Sequence, residues 1–205
     1  MVSPIGLAYF KLYPLPNKPG AFNNYSASPN RTQFATTYDV RIDHHITDRD
    51  SMFGRYSHNN TDTVVPGLFP AVNGVEPGGD IFGFQGPSHQ TPESAQLNYL
   101  HIFNSKLLVE LKSGYTRFVN NTPLPLNYGK QASEQLGMPG VNINDITSGL
   151  SSMMVIGYGG LGDGLWMVGK GTTNVFQYSG SLAYNVGNHS MKTGATLIRR
   201  QAISI

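Results

Sequence analysis

The sequence has no cysteine, so disulfides and thiolate metal sites are excluded. Charge is scarce as well. Asp, Glu, Lys and Arg make up 13% of the 205 residues, about half the share usual in soluble domains. The net charge is only +2, and no run of Lys and Arg could track a phosphate backbone, so no nucleic-acid partner is expected. No stretch of about 18 apolar residues is present, which excludes a transmembrane helix. The opening MVSPIGLAYFKLYPLPN lacks the basic start and continuous apolar core of a signal peptide. An exported protein of this composition would carry its export signal upstream.

Recognisable catalytic spacings are also missing. There is no G-x-S-x-G, H-E-x-x-H or EF-hand pattern. Gly157-Tyr158-Gly159-Gly160-Leu161-Gly162 satisfies G-x-G-x-x-G, but a dinucleotide site needs a strand before it and a helix after it. The continuation DGLWMVGKGTT is not helical. Gly164 to Gly171 narrowly misses a phosphate loop, because Gly171 stands where a Ser or Thr should bind magnesium. Both runs read as loop, with glycine supplying turns. No catalytic, cofactor-binding or metal residue is expected, the chain does not read as an enzyme, and ligand contacts are not legible.

What the sequence does contain is alternation. From Phe34, the residues Phe34, Thr36, Tyr38, Val40 and Ile42 share one face. Ala35, Thr37, Asp39, Arg41, Asp43 and His45 share the other. This period of two predicts a strand with one apolar and one polar face. Thr47-Asp48-Arg49-Asp50 breaks it with turn chemistry. A second strand follows from Met52 to about Asn60, with Phe53, Arg55 and Ser57 alternating against Met52, Gly54 and Tyr56. A second pair is predicted at about 94–119, joined at Asn104-Ser105-Lys106. Ala95, Leu97, Tyr99, His101 and Phe103 share its apolar face with Val109, Leu111, Ser113 and Tyr115, whereas Glu110, Lys112, Gly114 and Thr116 point the other way. A third pair covers about 174–200, joined at Gly187-Asn188-His189-Ser190. There Phe176, Tyr178, Gly180, Leu182, Tyr184 and Val186 lie opposite in parity to Gln177, Ser179, Ser181 and Asn185.

Three hairpins are thus separated by loops of about 62–92 and 120–173, the second with a helical turn near Lys130 to Leu136. Residues 1–31, rich in Pro, Asn and Ser, read as an irregular entry segment, and 32–205 as the strand-bearing part. Two such long loops are rare in a compact soluble domain but usual in outer-membrane barrels, which join strands by short periplasmic turns and long extracellular loops. Strands of about 10–13 residues also suit the roughly 9–11 needed to cross a bilayer. The expected fold is all-β: about six antiparallel strands of a larger transmembrane barrel. The alternative is a soluble β-sandwich surface-binding or adhesion module, whose apolar faces would pack on a second sheet.

Two side-chain sets could carry more than structure. Asp39, Arg41, Asp43 and His45 form a charged stripe that Arg55 could join across the hairpin. Alternating signs favour a salt-bridged wall over a metal or acid–base site, which would need converging acceptors without an interposed arginine. His44, of the opposite parity, falls near the turn and reads as interfacial. Tyr38, Tyr56, Tyr99, Phe103, Tyr115, Tyr178 and Tyr184 could stack on sugars but more simply form girdles at the lipid interfaces.

The segment QFATTYDVRIDHHITDRDSMFGRYS, residues 33–57, resembles the Oar-like TonB-dependent receptors common in acidobacteria. Arg41, Asp43 and His44 match that family's R-x-D-H string, and Asp48, Asp50, Phe53, Gly54, Arg55, Tyr56 and Ser57 its D-x-D-x-x-F-G-R-Y-S string. SKLLVELKSGYTR is similar through Gly114, Tyr115 and Arg117, QLGMPGVN through a G-I-P-G loop, and NHSMKTGATLIRRQ through a G-x-H-x-x-K-x-G-x-E-x-R-R string. PLPN at 14–17 also fits. Thr196 stands where the family has Glu, and Ser113 replaces a larger apolar residue. The resemblance covers the chain from about residue 10 and implies a barrel of roughly 22 strands, of which this chain would be an earlier part. It also implies a plug domain, the TonB machinery and a nutrient substrate as partners of the whole protein, and a location in the outer membrane of a Gram-negative cell. No TonB-interacting box, plug or carboxypeptidase-like domain occurs within the 205 residues.

Overall fold

A computed structural model describes residues 3–121, 124–165 and 169–204. Six strands form one sheet in sequence order, β1 to β6. They are β1 Thr32–Thr47, β2 Asp50–Val65, β3 Gly86–Asn104, β4 Leu107–Asn121, β5 Lys170–Val186 and β6 His189–Ser204. The three expected hairpins are present, with two-residue turns at 48–49, 105–106 and 187–188. In the third, β5 and β6 pair antiparallel from Gly171 opposite Ser204 to Val186 opposite His189. No helix among the described residues is long and apolar enough to cross a membrane.

The strands run longer than the alternation predicts, at 15 to 19 residues. β3 starts at Gly86 rather than near 94. Pro87 and Pro92 lie inside it, and proline, lacking a ladder donor, argues against a strand from sequence alone. The connections are correspondingly shorter than the expected 62–92 and 120–173, because β2 reaches Val65 and β5 begins at Lys170.

By contacts the chain divides into two compact units. The sheet unit takes 35–61, 90–120 and the residues from 170 onward; the loop unit takes those up to 34, 62–89 and 121–169. The loop unit has its own core of Tyr9, Leu12, Val75, Ala132, Leu150 and Leu161, with Phe69, Leu136 and Met153 packed against it. The entry segment 1–31 is therefore not wholly irregular. It holds the helix α1, Pro4–Phe10, with proline in the first turn, where its fixed φ suits a helix start. Tyr9 is the buried residue of α1, and Leu12 follows it into the core. The expected helical turn appears as α2, Ala132–Gln135.

Candidate functional site

The two faces of the sheet differ as the alternation predicts. On the polar face, Arg55 Nη2 donates to Asp39 Oδ1 at 2.9 Å, and Ser57 Oγ donates to the same oxygen at 2.5 Å. Asn59 Nδ2 donates to Thr37 Oγ1. Arg41 forms a two-pronged pair with Asp43 along β1 and lies over the Phe53 ring at 4.0 Å. Farther along the sheet, Glu110 accepts from Asn98 Nδ2 and pairs with Lys112 at 2.9 Å. Ser94, Gln96, Gly114, Thr116, Gln177 and Ser179 line a polar depression on this face. The Asp39–Arg41–Asp43 stripe is thus a set of ion pairs with Arg55 drawn in across the hairpin. No group of three or more metal-ligating side chains occurs among the described residues. The pairs on β1 and β2 are about half exposed, so each adds little stability by itself.

The opposite face is apolar and uncovered. Phe34, Tyr38, Ile42, Leu111, Tyr178 and Leu197 are all at least half exposed. Large apolar side chains at such density on one face need an apolar neighbour. The sandwich alternative would supply a second sheet, yet all six strands lie in one. Lipid is the neighbour that fits. Charges bracket the apolar band. On β6 the same-parity residues between His189 and Arg199 are Met191, Thr193, Ala195 and Leu197. Ten residue steps make about 33 Å, which a tilt of about 40° reduces to roughly 25 Å, the height of an outer-membrane apolar band. On β2 and β3 the brackets are ion pairs of His and carboxylate. Asp50 meets His101 at 2.6 Å, and Glu93 meets His58 at 3.2 Å.

The aromatic girdle residues mostly have partners. Tyr99 donates to Asp50 at 2.5 Å, and Phe103 stands edge-on to His101 with centroids 4.3 Å apart. Tyr115 donates to Asn174 Oδ1 and contacts the Phe176 ring. Tyr38 stacks on His58. A tyrosine with an apolar body and a satisfied hydroxyl is what an interfacial position selects. The His–carboxylate pairs were not legible in the sequence, because pairing depends on a register that alternation alone leaves open.

The loop unit is organised by buried polar groups. The Asn127 side chain, fully buried, accepts from Glu76 N and donates to both Glu76 O and Asp163 Oδ1. Asp163 Oδ2 accepts from Leu150 N at 2.5 Å. Burial pushes the Asp163 carboxyl up from its ordinary value, while the donors from Leu150 and Asn127 pull against that shift. The Tyr9 hydroxyl donates to Ser151 O at 3.0 Å, and burial raises its pKa too. These contacts join segments more than 100 residues apart, with no motif spacing to announce them.

The glycine motifs carry no nucleotide chemistry. Leu161 forms isolated bridges to Gly78 and Met153, and neither a preceding strand nor a following helix frames residues 157–162. Nor is this stretch a loose loop, since Leu161 is completely buried. In the near-miss phosphate loop, Trp166, Met167 and Val168 lie outside the described residues, and Lys170 and Gly171 open β5.

A sheet with one lipid-compatible face, one polar face and strands long enough to cross a bilayer defines a transmembrane β-barrel wall. The chain belongs to the outer membrane beta barrel domain family, which matches residues 1–205. It is accordingly a protein of the Gram-negative type of outer membrane. No curated protein and no solved structure matches it.

Proposed function

We propose that the six strands are part of the wall of a TonB-dependent outer-membrane receptor that takes up a nutrient. The observation that carries this reading is the packed loop unit. Plain pores need only short, sparse loops, whereas a receptor needs a preformed surface that captures its ligand. Here three chain segments share a core around Leu150 and Leu161 and a buried network around Asn127 and Asp163. The paired, mostly uncharged polar face would look onto the lumen and a plug domain. The loop unit would face the cell exterior, and the turns at 48–49, 105–106 and 187–188 the periplasm. The resemblance of residues 33–57 to the Oar-like receptors supports the same reading. No catalytic step is assigned.

Uptake tests the proposal. A strain lacking the gene and a strain lacking TonB function should lose growth on at least one shared scarce nutrient, and the restored gene should rescue only where TonB is active. A deletion strain with no TonB-linked growth defect, together with an open-pore conductance in the purified protein, would sink the receptor reading and leave a passive porin.

A further inference from the structure

The lipid-facing side of the sheet holds an apolar groove that ends in arginines. Contacts along the β4–β5 seam fix one register. Asn185 N donates to Lys106 O, Tyr115 meets Phe176, and a Cβ on Gly180 would lie 3.3 Å from the Leu111 side chain. That register sets Arg117 opposite Asn174, and the β5–β6 register sets Arg199 opposite Phe176. Two residues inward from Arg199 is Leu197, and beyond it Ala195 lies opposite Gly180. The short side chains of Gly180 and Ala195 leave a groove of about 750 Å³ walled by Leu97, Leu111, Tyr178 and Leu197.

We propose that this groove and the two arginines bind the phosphorylated glycolipid of the outer leaflet, lipopolysaccharide. An acyl chain would lie over Gly180 and Ala195, and a headgroup phosphate would reach Arg117 and Arg199. Three observations select this occupant. Charge at this end of the apolar face is cationic on β4 and β6, and neither arginine is in an ion pair among the described residues. Glu93, on the same face of β3, is engaged by His58. Arginine matches phosphate with two parallel donors and carries less hydration than lysine, which suits a partly dehydrated interface. The two strands lie roughly 10 Å apart across β5, within the span of one multiply charged headgroup. The opposite end of the face offers no such pair, since Asp50 and His101 neutralise one another there.

The inference rests on the long loops facing outward and does not depend on transport. Its test uses the full-length protein purified in detergent from outer membranes, with bound lipid read by native mass spectrometry and titration. The probes are lipopolysaccharide, the same lipid stripped of phosphate, phosphatidylglycerol and inorganic phosphate. Lipopolysaccharide should bind, and removing its phosphates should weaken binding about tenfold or more. The double variant Arg117→Gln and Arg199→Gln should do the same. Gly180→Trp, which fills the groove and spares the arginines, should also weaken it. Equal affinity with and without the lipid phosphates overturns the proposal, as does full competition by inorganic phosphate. Preference for phosphatidylglycerol also overturns it, by placing the arginines in the inner leaflet. The phosphate-stripping arm needs only the unaltered protein, so a variant that fails to fold leaves the test intact. No arm reads uptake, so failure here is distinct from failure of the receptor reading.

Discussion

Asp163 is held above the usual carboxylate range by burial, against the pull of Leu150 N and the Asn127 amide. The folded loop unit therefore binds this proton more tightly than the unfolded chain does. Its contribution is fully present below the ordinary Asp value, about 3.9, and is lost as pH rises through the raised value. Hydrogen exchange at the Leu150 amide should consequently show easier opening near pH 7 than near pH 4, after correction for intrinsic exchange rates. Asp163→Asn should flatten that dependence and cost about 1–3 kcal/mol, because its new NH2 faces a donor already in place. Protection at Leu150 that rises steadily from pH 4 to 7 in the unaltered protein would contradict the assignment. Gly162, next in sequence, makes a purely steric prediction. It sits at φ +99°, and a Cβ there would lie 2.5 Å from Ser151 O and 2.7 Å from Ser152 Cα. Gly162→Ala should destabilise the loop unit by about 2 kcal/mol or more, read as lost protection there with the sheet unit's protection unchanged. Gly157, also at positive φ but with nothing within 4 Å, gives the comparison. Its alanine variant should suffer only the cost of an unfavourable backbone angle, about 1 kcal/mol.

At the level of elements, the strands were legible because a lipid-facing wall must alternate. Every residue from Met191 to Leu197 that shares a parity faces the same apolar surroundings, so period two is written directly into the sequence. The short turns were legible for a related reason, since Asp48-Arg49 and Gly187-Asn188 carry turn chemistry. The outer ends of the strands were not. Beyond the apolar band no lipid enforces alternation, so Asn60 to Val65 and Gly86 to Glu93 pair as strand while reading as polar loop. The loop unit was hidden more completely. Its core joins Tyr9, Val75 and Leu161 from three distant segments, and irregular backbone has no period to betray which residues turn inward. The face assignment itself predicts an asymmetry between sequence neighbours. Leu111 lies on the apolar face and adjacent Lys112 on the polar face. Leu111→Arg, near the middle of the band, should cost about 2–4 kcal/mol in folding into a bilayer, measured by denaturant titration. Lys112→Gln should cost less than about 1 kcal/mol, since it loses only the half-exposed pair with Glu110. Similar costs at the two positions would mean that the sheet faces have been assigned wrongly.

For the whole molecule the decisive feature is the pair of sheet edges. β1 and β6 each have one strand neighbour in the described sheet. Each would leave a row of backbone groups unpaired, which a bilayer does not tolerate, so a barrel in a membrane must close. Closing six strands on themselves gives no viable interior: even eight leave room only for side chains. The polar face here carries Arg41, Arg55 and Lys112 with their partners, and these need more space than that. β1 and β6 must therefore meet further strands in the assembled barrel. The natural absence of cysteine makes this testable without background. Leu182→Cys with Thr193→Cys, which face each other across β5 and β6, should crosslink efficiently with a short bis-maleimide in membranes. Tyr38→Cys or Ile42→Cys on β1, combined with Thr193→Cys or Leu197→Cys on β6, should give no intramolecular crosslink by gel mobility. A strong intramolecular β1–β6 crosslink would show that the sheet closes at six strands, and the larger wall, together with its lumen and plug, would have to be abandoned.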